Sequence, residues 1–305
     1  MRSRRGFTLI ELLVVISIIA VLMTLVVTAV GALINQSREA ATQTTIRKIT
    51  SMLNQRAETL HRIEMRKGNI ENRLEYYGAA RNISGGNANL RKIVAKKLVD
   101  RTYFPQMRQE ILDAQITSGA TVQPKIVAAT AANSSEILYD LLIGETGNLF
   151  GTEMPDVDSF SASEATDRDQ NGLPEFVDAW GNPLRFYRWP TRLFSDPNAK
   201  SLLSTLPNQL NRDPDDPLRL CQNIPNFATT GVPAAPPWFP TGISGPVFHD
   251  PAVYHTPLVI SAGPDGILGM YEPDDTANNG HLGAIKDTDA LLDDITYLSV
   301  RAGGK

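Results

Sequence analysis

Apolar residues dominate the start of the chain and change their spacing near residue 35. From Phe7 to Ile34 the run is apolar almost without interruption, and Glu11 is its single charge. The 23 residues from Leu12 to Ile34 carry no charge. A membrane span needs about 20 apolar residues at a rise of about 1.5 Å each. We therefore predict a transmembrane helix over residues 7–34.

The helix is predicted to continue beyond the membrane as an amphipathic helix over residues 35–67. No proline or glycine occurs between Ser37 and Lys67 to interrupt it. Its apolar residues recur three, four and seven positions apart, which places them on one face. This apolar stripe needs a partner to cover it, and it consists of Ile46, Ile49, Leu53, Leu60 and Ile63.

Residues 68–147 are predicted to form a helical insertion. The segment from Leu90 to Val99 is amphipathic, and a basic run from Arg91 to Lys97 lies within it. That run could bind an anionic partner, but a solvated helix face explains it better. Ser134-Ser135-Glu136 is typical of a helix N-terminus, which predicts a helix through Ile143.

Residues 148–305 are predicted to form a β-rich body. Gly, Asp and Ser are frequent over 148–180 and prolines over 205–247, which indicates loops. The sequence Gly263-Pro264-Asp265-Gly266 predicts a turn. Three segments have the character of strands, namely Leu184–Trp189, Leu258–Ser261 and Ile295–Val300.

Charge and cysteine content limit the membrane topology, the binding partners and the disulfides that this protein can have. Three arginines precede the span and none directly follows it, which places the N-terminus in the cytoplasm and the body in the periplasm or outside the cell. The formal net charge is −4, and it would be −7 without residues 1–6, so we expect no nucleic-acid partner. The single cysteine, Cys221, excludes an intramolecular disulfide.

Three interpretations of the N-terminus compete. A secretory signal peptide could be cut at Ala29-Val30-Gly31, but its apolar region is typically about 7–15 residues. A plain single-pass anchor fits the length and leaves Glu11 unexplained, because an ionisable residue in a membrane helix is costly and usually marks function. The third interpretation accounts for Glu11.

The segment Arg5-Gly6-Phe7-Thr8-Leu9-Ile10-Glu11 resembles the processing site of type IV prepilins and type II secretion pseudopilins. This resemblance implies that a prepilin peptidase/methyltransferase cuts between Gly6 and Phe7 and N-methylates Phe7. Residues 1–6 would then be a leader peptide. The resemblance also implies that Glu11 lies one helical turn from the new amine and serves in assembly.

Simple electrostatics is consistent with that role for Glu11. In a low dielectric, a buried amine and a buried carboxylate are each costly unless they are paired. The Phe7 amine of an incoming subunit can pair with Glu11 of a neighbour already in the filament. Such a pair neutralises both charges and fixes the axial register.

Segments of the body are similar to the major pseudopilin of type II secretion systems. Asp178–Leu184 resembles its Asp-Pro-Trp-Gly-Asn-Pro sequence, with Ala179 in place of the usual proline. Ser261–Gly266 resembles its late Ser-x-Gly-x-Asp-Gly loop, and Asp293–Ile295 resembles the acidic segment that closes this loop. The stretch between these two segments is longer than the family's loop.

The resemblance implies an α+β fold, in which the long N-terminal helix packs on a small C-terminal antiparallel sheet. It implies a structural subunit of a secretion pseudopilus that acts in protein export and has no catalytic role. The partners would be the processing enzyme, other pseudopilin subunits in a homo-oligomeric filament and an inner-membrane assembly platform. The expected location is a single pass through the inner membrane. A subunit of a type IV pilus, used for adhesion, motility or DNA uptake, is the alternative.

The segment 167–178 matches most of a calcium-binding loop. Asp167, Asp169 and Asn171 supply oxygens at loop positions one, three and five, and Gly172 allows the sharp turn at position six. Asp178 stands at position twelve, where glutamate is usual, and its side chain is shorter. We predict structural Ca²⁺ here rather than a plain Asx-rich turn, without the paired helices of a full EF-hand.

The late loop is the second predicted calcium site. In the pseudopilin that this chain resembles, the loop binds structural calcium, and the matching positions here are Asp265, Asp293 and Asp294. The alternative is a solvated acidic loop. Three further acidic residues inside the loop match no motif, namely Glu272, Asp274 and Asp275.

A membrane-anchored enzyme or binding module is the alternative from another class. The four histidines lack a recognised metal spacing, and the chain has no Walker loop, dinucleotide fingerprint or nucleophile elbow. A paired-carboxylate hydrolase stays open, because acidic residues are plentiful. In a binding module, Trp238 could contact a ligand, whereas Trp180 is expected in the core. Neither alternative requires Glu11.

Overall fold

A computed structural model of the chain describes residues 9–66, 87–112, 126, 132–144, 159–190, 216, 218, 220, 257–275, 278 and 280–297. The structural findings below concern these residues. The predicted cleavage residues Gly6 and Phe7 lie outside them, as do Trp238 and residues 298–300 of the last predicted strand.

A single α-helix, α1, extends from Leu9 to Arg66 over 58 residues. At a rise of about 1.5 Å per residue it is roughly 87 Å long. The apolar and amphipathic segments predicted from the sequence are therefore two halves of one continuous helix. Every described side chain from Leu9 to Arg38 is exposed, whereas one face of α1 is buried from Thr42 to Leu60.

The body contains a three-stranded antiparallel sheet. Its strands, in spatial order, are β3 (Arg185–Tyr187), β4 (Leu258–Ser261) and β5 (Ile295–Thr296). Phe186 lies opposite Val259, and Ile260 lies opposite Thr296. The buried face of α1 packs against β4 and β5. The predicted α+β fold, with an N-terminal apolar helix and small antiparallel sheets, is confirmed.

Two further helices and a short hairpin also belong to the described body. Helix α2 spans Ala88–Tyr103 and helix α3 spans Ser134–Leu142. Strands β1 (Ala165–Thr166) and β2 (Glu175–Phe176) form a two-stranded antiparallel sheet. Helix α3 packs against β2 and β3. Two short 3₁₀ helices lie in the late loop, at Gly280–Leu282 and Ala290–Leu292.

The main hydrophobic core joins all these layers. Four positions of the predicted stripe on α1 are buried, which is why the helix continues into the body rather than ending at the membrane. The core also includes apolar side chains from α2, α3 and the sheet. Its members include Ile46, Ile49, Leu53, Leu60, Val94, Val99, Leu138, Leu141, Phe176, Phe186 and Val259.

The hairpin is tied to α1 by polar contacts as well. Glu164 Oε1 accepts hydrogen bonds from Thr45 Oγ1 at 2.9 Å and from Lys48 Nζ at 2.7 Å. Glu164 Oε2 accepts from the backbone N–H of Ser161 at 2.9 Å. Desolvation alone would raise the pKa of Glu164, but the hydrogen bonds from Lys48, Ser161 and Thr45 lower it to about 2.

The basic run on α2 is solvated only in part, and the prediction of a solvated face is wrong for Lys97. Lys97 is only 1% exposed, and its ammonium lies 4.4 Å from the centroid of the Trp189 ring. Lys92 is exposed as expected. The aromatic face attracts the cation, and the long aliphatic stem of Lys97 lies in the apolar interior.

A buried ion pair connects the insertion to the sheet. Arg188, directly after β3, donates two hydrogen bonds to Glu110, from Nη1 to Oε2 at 2.7 Å and from Nη2 to Oε1 at 2.8 Å. The backbone N–H of Arg188 donates to Gln106 Oε1 at 2.8 Å. These partners compensate the desolvation of both charges, which an isolated buried ion could not tolerate.

Candidate functional sites

The apolar half of α1 is long and hydrophobic enough to cross a membrane. The segment Leu9–Val27 has a mean hydropathy of 2.9, and none of it is buried inside the protein. Large apolar side chains are exposed along it, from Leu9 at 83% to Ile34 at 48%. Such a surface is unfavourable in water and is stable in lipid or against other helices. An N-terminal helix of this kind indicates membrane anchoring.

Glu11 lies in the first turn of α1 and is exposed. The charge therefore lies at the end of α1 that is farthest from the body. The first turn of a helix carries unpaired backbone N–H groups and a partial positive charge, which favours a carboxylate there.

The turn that contains Trp180 is held by Asp178. Asp178 Oδ1 accepts hydrogen bonds from the backbone N–H groups of Trp180 at 2.9 Å and Asn182 at 2.8 Å. Gly181 takes the left-handed conformation that the turn requires, with φ +87°. Ser261 Oγ, at the end of β4, donates to Asp178 Oδ2 at 2.8 Å. Both oxygens of Asp178 thus accept hydrogen bonds in this turn, and its place as a calcium ligand of the early loop stays a prediction.

This turn packs on the late loop. The Asn182 side-chain amide donates to the Gly263 carbonyl at 3.4 Å. A Cβ added at Gly266 would lie 3.4 Å from the Asn182 amide group. The two body segments singled out in the sequence are therefore in direct contact, although Asn182 and Gly263 are 81 residues apart.

The charges of the three predicted ligands in the late loop act on one another, but their carboxylate oxygens do not all lie within 4.8 Å of one another. Asp265 Oδ1 accepts from the backbone N–H of Ile267 at 2.8 Å. Asp293 packs against Gly263, where a Cβ would clash with the Asp293 carbonyl oxygen. Asp294 Oδ2 accepts from the Gly269 N–H at 3.0 Å, whereas its Oδ1 is buried without a hydrogen-bond partner.

The electrostatics of the late loop fit a cation. Burial, together with the charges of Asp293 and Asp265, raises the pKa of Asp294 to about 8, although the hydrogen bond from the Gly269 N–H opposes this change. Burial and the charge of Asp265 also raise the pKa of Asp293. A hard cation would remove this repulsion and satisfy the open oxygen of Asp294. Of the other acids in the loop, Glu272 pairs with Arg185, with Oε1 2.8 Å from Nη2.

The predicted early loop adopts the turn expected of it. Asp167 accepts from the backbone N–H groups of Asn171 at 3.1 Å and Gly172 at 2.9 Å. Asp169 Oδ1 accepts from the same Asn171 N–H at 3.2 Å. Gly172 has φ +88° and Gln170 has φ +59°. Asp167, Asp169 and Asn171 are thus gathered in one tight turn.

Two glutamates absent from the predicted ligand set lie beside this loop. Carboxylate oxygens of Glu136, Asp169 and Glu175 all lie within 4.8 Å of one another. Glu175 occupies position nine of the loop, where a ligand is often found, so the spacing contained that signal. Glu136 comes from the first turn of α3, 31 residues before Asp167, and no local pattern connects it to the loop.

Burial and the repulsion between neighbouring carboxylates both change pKa values in this cluster. They raise the pKa of Glu175 to about 7, with burial the larger cause and the charges of Glu136, Asp169 and Asp167 adding to it. The pKa of Glu136 is raised by burial, and hydrogen bonds from Asn133 and Asn171 counteract that change in part.

The comparisons with known proteins concern only the N-terminus. Residues 1–33 match the family model described as "Prokaryotic N-terminal methylation motif". A search of curated proteins and a search of solved structures found no match to the chain. The matched motif indicates a type IV pilin-like protein that is processed by a prepilin peptidase and assembles as pilins do. It indicates a structural subunit rather than an enzyme.

Proposed function

We propose that this protein is a structural subunit of a type II secretion pseudopilus, cut after Gly6, N-methylated at Phe7 and active in protein export. The observation that carries the proposal is the methylation motif at the head of an exposed apolar helix. In a membrane, the apolar half of α1 would be held in lipid before assembly and against neighbouring α1 helices in the filament. The body would lie in the periplasm and contact other subunits.

Glu11 is the assembly residue in this proposal. An exposed carboxylate among apolar side chains is costly in lipid unless a cation neutralises it. The α-amine produced at Phe7 of the next subunit is a suitable cation. Pairing would occur only at one axial offset between helices, so the cost of an unpaired charge selects the correct register.

The contact between the Trp180 turn and the late loop supports a secretion pseudopilin over a type IV pilus subunit. Both segments resemble the major pseudopilin, and Asp178, Ser261 and Asn182 connect them by hydrogen bonds. The alternative of a pilus subunit shares the N-terminus and differs in the body.

We also propose that the late loop holds a structural Ca²⁺ through Asp265, Asp293 and Asp294. The buried, unpaired Oδ1 of Asp294 supports this assignment. The cation would join the loop after β4 to the segment before β5. A body with one cysteine has no disulfide to make that connection, and binding of the cation to the folded state stabilises it by mass action.

Intact mass of the chain recovered from membranes tests the processing step. The wild-type mass is expected to begin at Phe7 with one added methyl group, and Gly6→Ala is expected to retain Met1. A wild-type mass that still contains residues 1–6, or one cut near Gly31, would contradict the proposal and favour an anchored enzyme or secreted protein.

Cross-linking between α1 helices tests assembly in the same preparation. Glu11→Ala is expected to insert and be cleaved normally but to give no filaments. Ser17→Ala is the matched control. Ser17 is exposed on the same helix, and its hydroxyl donates a hydrogen bond to the backbone carbonyl of Val14, one turn earlier. Retention of exoprotein in the periplasm of a strain without this chain would indicate secretion, whereas loss of surface pili would indicate the alternative.

A further inference from the structure

We propose that Glu136, Asp169 and Glu175 form a Ca²⁺ site that joins helix α3 to the β1–β2 hairpin. The three carboxylates come from separate parts of the fold: the first turn of α3, the loop between β1 and β2, and the start of β2. Their ligand oxygens lie within 4.8 Å of one another. One cation can therefore contact all three with small side-chain movements.

The buried carboxylate oxygen Oε2 of Glu175, which has no hydrogen-bond partner, indicates that a cation binds beside it. Glu175 is only 1% exposed, and its Oε2 has no hydrogen-bond partner, while Oε1 accepts from the Arg168 N–H at 3.2 Å. A buried carboxylate oxygen without a partner is costly. Because the side chain is enclosed, bulk water cannot supply the bond, and the compensating group has to sit in the cluster itself.

The neighbouring side chains neutralise the cluster incompletely. The Asn171 side-chain amide donates to Glu136 Oε1 at 2.7 Å and to Asp169 Oδ2 at 3.0 Å. This is a neutral donor between two carboxylates. Across the described residues, no lysine or arginine forms an ion pair with Glu136, Asp169 or Glu175. Two of the three acidic groups thus share one amide, and Glu175 accepts only from the Arg168 N–H, so their repulsion stays in place.

The ligand set and its supports favour calcium. Carboxylate oxygens are hard ligands, and Ca²⁺ accepts six to eight of them in flexible geometry, whereas Mg²⁺ demands a near-ideal octahedron. The cluster is built on the loop of Asp167, which already holds two backbone N–H groups. Glu136 is held from the other side, because its Oε2 accepts from the Asn133 N–H at 2.7 Å in the capping box of α3.

In this arrangement Glu136 takes the position of the closing carboxylate that the loop lacks. Asp178, at the twelfth position, accepts hydrogen bonds from Trp180 and Ser261 in its own turn. A carboxylate from another element closes it instead. The cation therefore connects the helical insertion to the hairpin, and through the hairpin to α1.

Calorimetric titration of the full chain with CaCl₂ in detergent micelles tests the site. The protein is first stripped with EDTA, and every variant carries Asp294→Asn so that the late loop does not contribute. Glu175→Gln is the test variant and Glu136→Gln the second. Glu164→Gln is the matched control, since it removes a carboxylate from the same hairpin that bonds to Lys48 instead of the cluster.

One calcium per chain is expected in the D294N background and in E164Q. In E175Q and E136Q we expect affinity to fall by at least the roughly 10- to 100-fold that loss of a supporting partner causes at metal sites. The melting temperature of metal-free E175Q should equal or exceed that of its parent, because the variant removes an unpartnered charge. A purely structural glutamate would give a lower melting temperature and the same calcium affinity.

Three results would overturn the assignment: no calcium binding in the D294N background, equal affinity in E175Q and E164Q, or a response to MgCl₂ as large as that to CaCl₂. None of these results depends on cleavage or filament formation. The site can therefore fail while the proposed function stands, and the function can fail while the site stands.

Discussion

The two halves of α1 have the same backbone conformation and opposite surroundings. In the half before Arg38 the apolar side chains are exposed all around the helix, whereas in the half after Thr42 only one face is apolar and that face is covered. No element in the described part of the chain covers the first half, and the second half is part of the core. One helix thus serves two environments, because helical hydrogen bonds are satisfied internally in both lipid and water.

This difference in surroundings predicts which property a substitution in each half of α1 will change. The half from Thr42 onward, called the docked half because it packs on the body, should determine the stability of the body. The half before Arg38, called the apolar half, should determine membrane insertion and assembly. Pairs of matched substitutions, one in each half, test this division, with unfolding of the body followed by circular dichroism in urea and detergent.

The largest effect is expected from removing a core side chain of the docked half. Ile49 is 0% exposed, so Ile49→Ala should lower the free energy of unfolding by about 2–5 kcal/mol. Ile19→Ala, the control, removes the same atoms from a side chain that is 50% exposed and should leave the body unchanged. If both variants lost the same free energy of unfolding, the two halves of α1 would have to unfold cooperatively, and the proposed division would be wrong.

A smaller loss of stability is expected when the buried guanidinium of Arg56, in the docked half, is removed. Arg56 donates from Nε to the Tyr103 carbonyl and from Nη1 to the Leu141 carbonyl, both at 3.3 Å. Arg56→Met should leave these two acceptors unpaired and destabilise the body by about 1–3 kcal/mol. Arg38→Met is the control, since Arg38 is exposed. A stable R56M variant would mean that water replaces the lost donors.

The smallest effect is the pH dependence of the contact between α1 and the hairpin. Because the pKa of Glu164 is lowered to about 2 in the folded state, its contribution is present above its ordinary pKa and is lost as pH falls toward 2. Lys48 is partly exposed, so the contribution should not exceed about 1 kcal/mol. The difference in stability between wild type and E164Q, measured from pH 6 to pH 2, should shrink over that window. A constant difference would contradict this assignment.

Much of the fold was predictable because it depends on local patterns. The first helix follows from the length of its apolar run, its buried face from the periodicity of the stripe, and strand β4 from a short apolar run before a turn. Helix α3 was predicted with almost its observed bounds, although its N-cap is Asn133 rather than Ser134. The strands β1 and β2 have only two residues each, too few for a periodicity to appear.

The N-terminal chemistry can be read from neighbouring residues alone: a methylation motif, a single acidic residue and an uninterrupted apolar helix. Each of these features depends on residues that are adjacent in the chain. The partners of groups far apart in sequence, in contrast, are set by how the chain folds. Folding buried Lys97 under Trp189, directed Asp178 to Ser261, and brought Glu136 to Asp169 and Glu175. The physical reason is that the environment of a polar side chain is set by what folding packs against it, and those neighbours lie tens of residues away.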